Sequence, residues 1–213
     1  MTHLIADLVR VRKVDRLCLA HTYIGNRGVK ILREDITVSN IKYLNISWCG
    51  LTEDSVDDLC SLYQFCHNLE KILMQHNELG GYHHLAKICN ALEHHSKLKY
   101  LDISANEVTS RGLYYLLELQ ASNRLRLGNL QCRKNLIDGK KVIGLFRKLR
   151  QNKDLRVLNL SDNNLNNANA EEILTHYVQP NVYVEQLVLA GNKSISSSLS
   201  ESIETETVNN IKI

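Results

Sequence analysis

One apolar pattern recurs seven times along the 213 residues of the chain, and it constrains the fold more than any other feature. Each copy has an apolar residue at positions one, four and six, and most copies have asparagine at position nine. The copies start at residues 14, 41, 69, 98, 127, 155 and 184, in steps of 27 to 29 residues. A unit this short cannot bury its apolar face alone, so the copies must stack on one another.

Two periodicities divide each repeat. The alternation of positions four and six, as in Leu158 and Leu160, predicts a strand with one buried face. The second half has apolar residues three and four apart, which predicts a helix. These residues are Val56, Leu59 and Tyr63; Leu113, Leu116 and Leu117; Val142, Leu145 and Leu149; and Ala170, Ile173 and Tyr177. Thr52 and Thr109 are predicted helix starts.

Position nine has its own predicted role. Asparagine stands there in five copies, as Asn77, Asn106, Asn135, Asn163 and Asn192. We expect the chain to turn inward at this point, where the side-chain amide can satisfy backbone groups of neighbouring turns. Thr22 and Cys49 occupy the position in the first two copies.

This pattern resembles the LxxLxLxxN/CxL consensus of the leucine-rich-repeat family, and its period and helical half resemble the ribonuclease-inhibitor subclass. The resemblance implies an α/β horseshoe-shaped solenoid, with parallel strands on the concave face and helices on the convex face. We expect residues 1–213 to form a single array with a half-repeat at each end. Uncovered ends would expose apolar residues and favour self-association. Those residues are Leu4, Ile5, Ile211 and Ile213, of which Ile211 begins a predicted eighth strand.

Cysteine usage and hydropathy indicate the compartment. The six cysteines are scattered and form no CxxC pair, which favours reduced thiols and a cytoplasmic protein. Asp7 places a charge where a signal peptide needs an apolar run. No stretch has the apolar length of a membrane span.

The sequence holds no catalytic signature such as GxxxxGK, HExxH or GxSxG, so we predict a protein that is not an enzyme and uses no cofactor. Two histidine pairs, His83–His84 and His94–His95, flank the third helix. The eleven-residue separation spans roughly 16 Å of helix, so the pairs cannot share one metal ion. We interpret them as solvated helix ends and predict no metal site.

The predicted binding surface lies on the concave face, because side chains at positions three, five and eight alternate away from the core. Repeats two to four gather aromatic, basic and apolar side chains at these positions. We predict a partner-binding patch of Tyr43, Trp48, Lys71, Leu73, His76 and Tyr100. Trp48 is the only tryptophan, and an exposed tryptophan beside tyrosines is typical of interfaces. The alternative is that these aromatic residues only pack on one another along the sheet.

Within the patch, Tyr43, Lys71 and Tyr100 share one register in three successive strands. We therefore expect the Lys71 ammonium to lie between two phenol rings, with a cation–π contact on either side. Trp48 and His76 are expected to stand next to each other at the strand ends.

Basic residues cluster in the second half of the fifth repeat, on the predicted convex side. They are Lys140, Lys141, Arg147, Lys148 and Arg150. We interpret the cluster as a solvated helix face. Only Phe146 interleaves with it, which disfavours nucleic acid as a partner.

The sequence therefore predicts a module that binds a protein partner through its concave sheet. This functional expectation rests on the resemblance to a family of binding proteins. Two alternatives stay open. One is a regulator of a small GTPase, resembling the Ran GTPase-activating protein, and the other is a passive scaffold segment of a larger protein.

Overall fold

A computed structural model describes residues 14–35, 40–139, 144, 149, 152–177, 183–196, 198–199 and 211–212 of the chain.

Eight short strands in these residues form one parallel sheet, and their order in the sheet is their order in the chain. The strands are β1 Arg16–Cys18, β2 Tyr43–Asn45, β3 Lys71–Leu73, β4 Tyr100–Asp102, β5 Asn129–Gln131, β6 Val157–Asn159, β7 Gln186–Val188 and β8 Ile211–Lys212. Each residue pairs with the residue at the same repeat position in the next strand, as Leu101 does with Leu130. The seven predicted strands are confirmed, and so is the eighth, which pairs with β7.

Helices connect the strands in the predicted order. They are α1 Gly25–Asp35, α2 Val56–Phe65, α3 Tyr82–Leu92, α4 Ser110–Ala121 and α5 Asn167–Tyr177. A 3-10 turn, Glu53–Ser55, precedes α2, and the Thr52 hydroxyl caps it by accepting from the Asp54 amide at 3.4 Å. Thr109 precedes α4 as predicted, with an extended backbone. The predicted helix of the fifth repeat lies outside the described residues except for Gly144 and the buried Leu149.

The core lies between the sheet and the helices, and the strand alternation fills it. The central residue of each strand from β2 to β7 is at most 1% exposed. These residues are Leu44, Ile72, Leu101, Leu130, Leu158 and Leu187. The residue two positions later in each repeat is equally buried, as Ile103 and Leu160 show. The flanking residues therefore point to the concave face, which is the arrangement that the sequence predicted.

The asparagine column forms the predicted ladder of buried side-chain amides. Oδ1 of Asn135 accepts from the backbone amides of Asn106 at 2.9 Å and Val108 at 3.0 Å. Its Nδ2 donates to the carbonyls of Ile103 at 3.2 Å and Cys132 at 3.0 Å. Each asparagine thus ties its own turn to the preceding repeat.

The two non-asparagine residues of this column replace part of the ladder. The Cys49 thiol donates to the Leu19 carbonyl at 3.1 Å. The Thr22 hydroxyl donates to that same carbonyl at 2.5 Å. Sulfur and hydroxyl groups can therefore stand in for the amide at the first two turns.

The ends of the predicted array are described only in part. Leu4, Ile5 and Ile213 lie outside the described residues, and of Ile211 only the backbone in β8 is described. The exposure predicted for these residues stays a prediction. Among the described helices, none combines the length and the apolar character needed to cross a membrane.

Candidate functional site

The concave face is built from side chains that flank the buried centre of each strand. At repeat position three, the sheet register aligns Arg16 with Tyr43, Tyr43 with Lys71, and Lys71 with Tyr100. Neighbours in a parallel sheet lie about 4.8 Å apart at the backbone, so these side chains are neighbours on the concave face. The sequence-predicted patch is therefore brought together in β2–β4.

Two cation–π pairs follow each other along this row. The Arg16 guanidinium lies 4.2 Å from the centre of the Tyr43 ring, and the Lys71 ammonium lies 3.8 Å from the centre of the Tyr100 ring. The prediction that both rings flank Lys71 is thus correct for Tyr100, whereas the ring of Tyr43 receives Arg16. The Tyr43 ring has Arg16 of β1 on one side and Lys71 of β3 on the other. Arg16 makes the cation–π contact with this ring.

A stack of three planar rings stands at the strand ends. Trp48 lies between His76, at 3.8 Å between ring centres and 13° between planes, and His21, at 5.4 Å and 19°. The predicted neighbourhood of Trp48 and His76 is confirmed. His21 extends the stack by one repeat; it shares position eight with Trp48, and that shared position is the signal that could have placed it in the patch.

The backbone at position eight is left-handed in every repeat. The φ angles are 60° at His21, 56° at Trp48 and 55° at His76. Their amides donate to carbonyls of the next repeat, Trp48 to Gln75 and His76 to Ser104, both at 3.0 Å. These bonds fix the direction in which the rings leave the backbone. Trp48 is 36% exposed, so the stack presents aromatic surface to solvent.

Position five supplies the floor of the patch. Leu73 is half-buried on β3, and Asp102 beside it on β4 is 7% exposed. The Asp102 carboxylate accepts from the Ser104 amide at 2.9 Å. Burial, with a smaller contribution from the Asp102 charge, raises the pKa of the Tyr100 phenol. Tyr100 therefore remains a neutral hydroxyl at neutral pH.

The other half of the concave face is lined with amides. The Gln131 side chain donates to Asn129 at 2.7 Å and accepts from Asn159 at 2.7 Å. These three side chains carry no ring and no charge, whereas β1–β4 carry the rings of Tyr43 and Tyr100 and the cations of Arg16 and Lys71. Tryptophan and tyrosine, which lie in repeats two to four, are enriched among the residues that contribute most binding free energy at protein interfaces.

The other candidates have structural partners. His95 is buried, which corrects the solvated position predicted for it, and its Nε2 lies 3.0 Å from the Tyr63 carbonyl. His84 Nδ1 lies 3.6 Å from Glu53. Across the described residues, no group of three or more His, Cys, Asp or Glu is arranged to hold a metal ion. All six cysteines are free thiols. The basic residues Lys140, Lys141, Arg147, Lys148 and Arg150 lie outside the described residues.

Comparisons with known families agree with this geometry. Family models described as Leucine Rich repeat match residues 40–62, 94–117 and 151–174. The parallel sheet, the connecting helices and the asparagine ladder define the same class. The chain is similar to the leucine-rich-repeat proteins, and within them its likeness is to ribonuclease inhibitor.

Two curated relatives carry that likeness. Ribonuclease inhibitor of Sus scrofa is 26% identical over 226 aligned positions, which cover 91% of this chain and 49% of the relative. The human NACHT, LRR and PYD domains-containing protein 13 is 26% identical over 138 residues, which cover 64% of this chain and 13% of the relative. The chain thus spans half or less of the curated relatives that it matches.

A solved structure shares the fold. In the crystal structure of the yeast Rad7 and Elc1 complex, one chain superposes with a TM-score of 0.55 at 17% identity, covering all of this chain and 62% of that one. Leucine-rich-repeat domains generally mediate protein–protein interaction, and the families matched are binding modules.

Proposed function

We propose that this chain binds a protein partner through the concave patch formed by Tyr43, Trp48, Lys71, Leu73, His76 and Tyr100. The observation that carries the proposal is the partly exposed Trp48, held between two imidazoles on a fixed backbone. A rigid aromatic side chain loses little conformational entropy on binding, which makes it an effective anchor. The concave face of ribonuclease-inhibitor-like arrays is also the face whose curvature can enclose a partner.

The charges of the patch favour an acidic partner surface. Arg16 and Lys71 lie over phenol rings, which restrict them without neutralising them. A carboxylate approaching from the concave side can reach these cations, while an apolar side chain contacts Leu73 and Trp48. The partner surface is therefore expected to combine an acidic residue with an exposed apolar one.

The proposal is tested with the immobilised chain, by comparing the proteins that it retains with those that its variants retain. Trp48→Ala and Tyr100→Ala should each weaken binding by about 2 kcal/mol, or about 30-fold in Kd, if they are hot spots. Lys71→Glu should weaken binding most at low salt, because screening then reduces the repulsion least. Isothermal titration with each retained protein measures these differences.

Lys87→Ala is the matched control. Lys87 lies on helix α3, is exposed, and pairs with Asp57 at 2.8 Å, so its loss should leave concave binding unchanged. A partner that is lost with Lys87→Ala and kept with Trp48→Ala and Tyr100→Ala would show that the concave assignment is wrong. Measurement of GTP hydrolysis by retained GTPases separately tests the alternative of a GTPase regulator.

A further inference from the structure

The ring stack at position eight ends abruptly at the fourth repeat. His21, Trp48 and His76 are followed at the same position by Ala105 and then by Lys134. The three rings are nearly parallel and stand in successive repeats, so their faces point along the array. One face of His76 covers Trp48, and its other face points toward the repeat of Ala105.

The spacing of the repeats leaves room for about one aromatic ring over Ala105. The Ala105 amide donates to the Arg133 carbonyl at 2.8 Å, and the His76 amide donates to Ser104 at 3.0 Å, so strand spacing continues through this point. His76 and Lys134 are two steps apart, about 9.5 Å at the backbone. Two ring contacts of about 3.5–4.0 Å need about 7–8 Å. We call this space, bounded by His76, Ala105 and Lys134, the Ala105 notch.

Lys134 supplies the positive charge at the notch, while Glu78 and Glu107 lie two residues beyond His76 and Ala105. Lys134 is exposed at its far side. Burial, followed by the Lys134 charge, lowers the pKa of His76. Of the other charged groups near His76, Arg133 is paired with Asp162 at 2.5 Å, and Asp102 is buried with its carboxylate on the Ser104 amide. Lys134 is therefore the charge that a ligand in the notch meets.

We propose that the Ala105 notch receives an aromatic side chain of the partner protein, flanked by an acidic residue that pairs with Lys134. The inserted ring continues the stack as its fourth member, with one face on His76 and its edge over the Ala105 methyl group. This inference rests on the proposed concave function, and it names the part of the partner that the patch recognises.

A protein side chain fits the notch better than a nucleic-acid strand. Binding of a single strand relies on several aromatic platforms and on cations that follow the backbone. In this stack the rings cover one another, and a single ring face is left open toward the notch. The exposed Glu78 and Glu107, two residues beyond His76 and Ala105, would repel a phosphate chain, with a charge at every nucleotide, more strongly than a single carboxylate. A lone carboxylate can approach from the Lys134 side instead.

The direct test uses the peptide acetyl-Asp-Phe-Asp-amide and nuclear magnetic resonance of the chain with labelled alanine methyl groups. A ring whose edge lies over Ala105 should shift the Ala105 methyl resonance downfield, because the ring current deshields protons that lie in the plane of the ring. The peptide with leucine in place of phenylalanine should produce no such shift. The peptide with lysine in place of both aspartates should bind about tenfold more weakly, because it brings like charge to Lys134.

Two variants at position 105 form a matched pair. Ala105→His places in the notch a residue type that the same left-handed position already accepts at His21 and His76. It should weaken the acidic phenylalanine peptide at least tenfold, whereas Ala105→Gly leaves the notch open and should keep the dissociation constant within about twofold. The ring protons of His76 report binding in both variants. The methyl measurement on the unaltered chain needs no variant to fold.

Several outcomes would overturn the proposal. They are an unshifted Ala105 methyl group at saturating peptide, equal binding by the leucine peptide, or a larger shift with oligothymidylate than with the peptide. A peptide that shifts Tyr100 resonances but leaves the Ala105 methyl group unshifted would refute the notch and leave the concave patch intact. If Trp48→Ala and Tyr100→Ala leave partner capture unchanged, the proposed function fails by a separate measurement.

Discussion

At the scale of single residues, position eight shows how a repeat can hold different side chains in one strained conformation. Residues as different as Trp48, Ala105 and Asp162 all have φ between 51° and 56° there. The left-handed region costs a residue with a Cβ about 1–2 kcal/mol. The chain accepts this cost because each amide donates to the next repeat, as Ala105 does to Arg133. The positive φ at position eight thus results from the hydrogen bonds between stacked repeats, and it recurs in every repeat.

Ala105 provides a test of that strain. Ala105→Gly should raise the free energy of unfolding by about 0.5–1 kcal/mol, because glycine adopts positive φ without penalty and this gain exceeds the added entropy of the unfolded chain. Thermal unfolding should show a Tm about 2 °C higher. Ala86→Gly in helix α3 is the control, and it should lower stability by about 1 kcal/mol. A loss of stability at position 105 would contradict the argument.

Asn135 tests the amide ladder. Asn135→Ala removes partners from two buried amides and two buried carbonyls, each costing about 1–3 kcal/mol when unpaired. Because such costs are not additive, we expect a total loss of about 3–5 kcal/mol in urea unfolding. Asn164→Ala, at an exposed position in the next repeat, should change stability by less than about 0.5 kcal/mol. Equal stability of the two variants would show that the ladder contributes nothing.

At the scale of elements, the distance between successive turns is set by backbone contact at a glycine. A Cβ built on Gly80 would lie 2.1 Å from the Asn106 carbonyl oxygen and 2.5 Å from the Val108 nitrogen. Gly80 lies in the loop between β3 and α3. The structure shows that Gly80 also lets the loop before α3 touch the next repeat. A side chain there must push two repeats apart.

Gly80→Ala should therefore destabilise the array by at least about 2 kcal/mol, since the clash is with backbone that cannot rotate away. Gly128→Ala is the control, because a Cβ at Gly128 would meet its nearest atoms at 3.7 Å, an ordinary contact. Chemical denaturation of both variants gives the comparison. If Gly80→Ala is as stable as Gly128→Ala, the loop can move aside and does not set the spacing.

At the scale of the whole molecule, a buried histidine links folding to pH. His95 is 7% exposed, and its Nε2 donates to the Tyr63 carbonyl across neighbouring repeats. Its Nδ1 has no hydrogen-bond partner among the described residues. Burial, opposed by the bond to Tyr63, lowers the pKa of His95 below its ordinary value of 6.5. The folded array therefore holds this imidazole neutral where the unfolded chain protonates it.

The sign of the pH effect follows from proton counting. Below about pH 6.5 the unfolded state binds more protons than the folded state, so the free energy of unfolding falls as the pH falls through that value. His95→Gln should flatten this decline between pH 7 and pH 5 in urea unfolding. His94→Gln, whose side chain is 86% exposed, is the matched control and should leave the decline unchanged. A decline that is identical in all three proteins would contradict the assignment to His95.

The local repeat pattern predicted most of the fold and part of the candidate site. Strand positions, helix positions in the described residues and the asparagine ladder all depend on which face of a short element is apolar, and spacing reveals that face. The prediction that Trp48 and His76 lie next to each other followed from strand register in the same way. The pairing of Arg16 with Tyr43 did not, because several neighbours at one register compete for the same ring.

By itself the sequence determined that seven like units must stack in register, since each unit exposes an apolar face that only its neighbours can cover. That requirement set the parallel sheet, the concave face and the columns of residues along it. Only the tertiary structure decided the left-handed turn at position eight and the three-ring stack of His21, Trp48 and His76. These depend on side-chain directions and hydrogen bonds between repeats, and the spacing of residues along one chain carries no information about either.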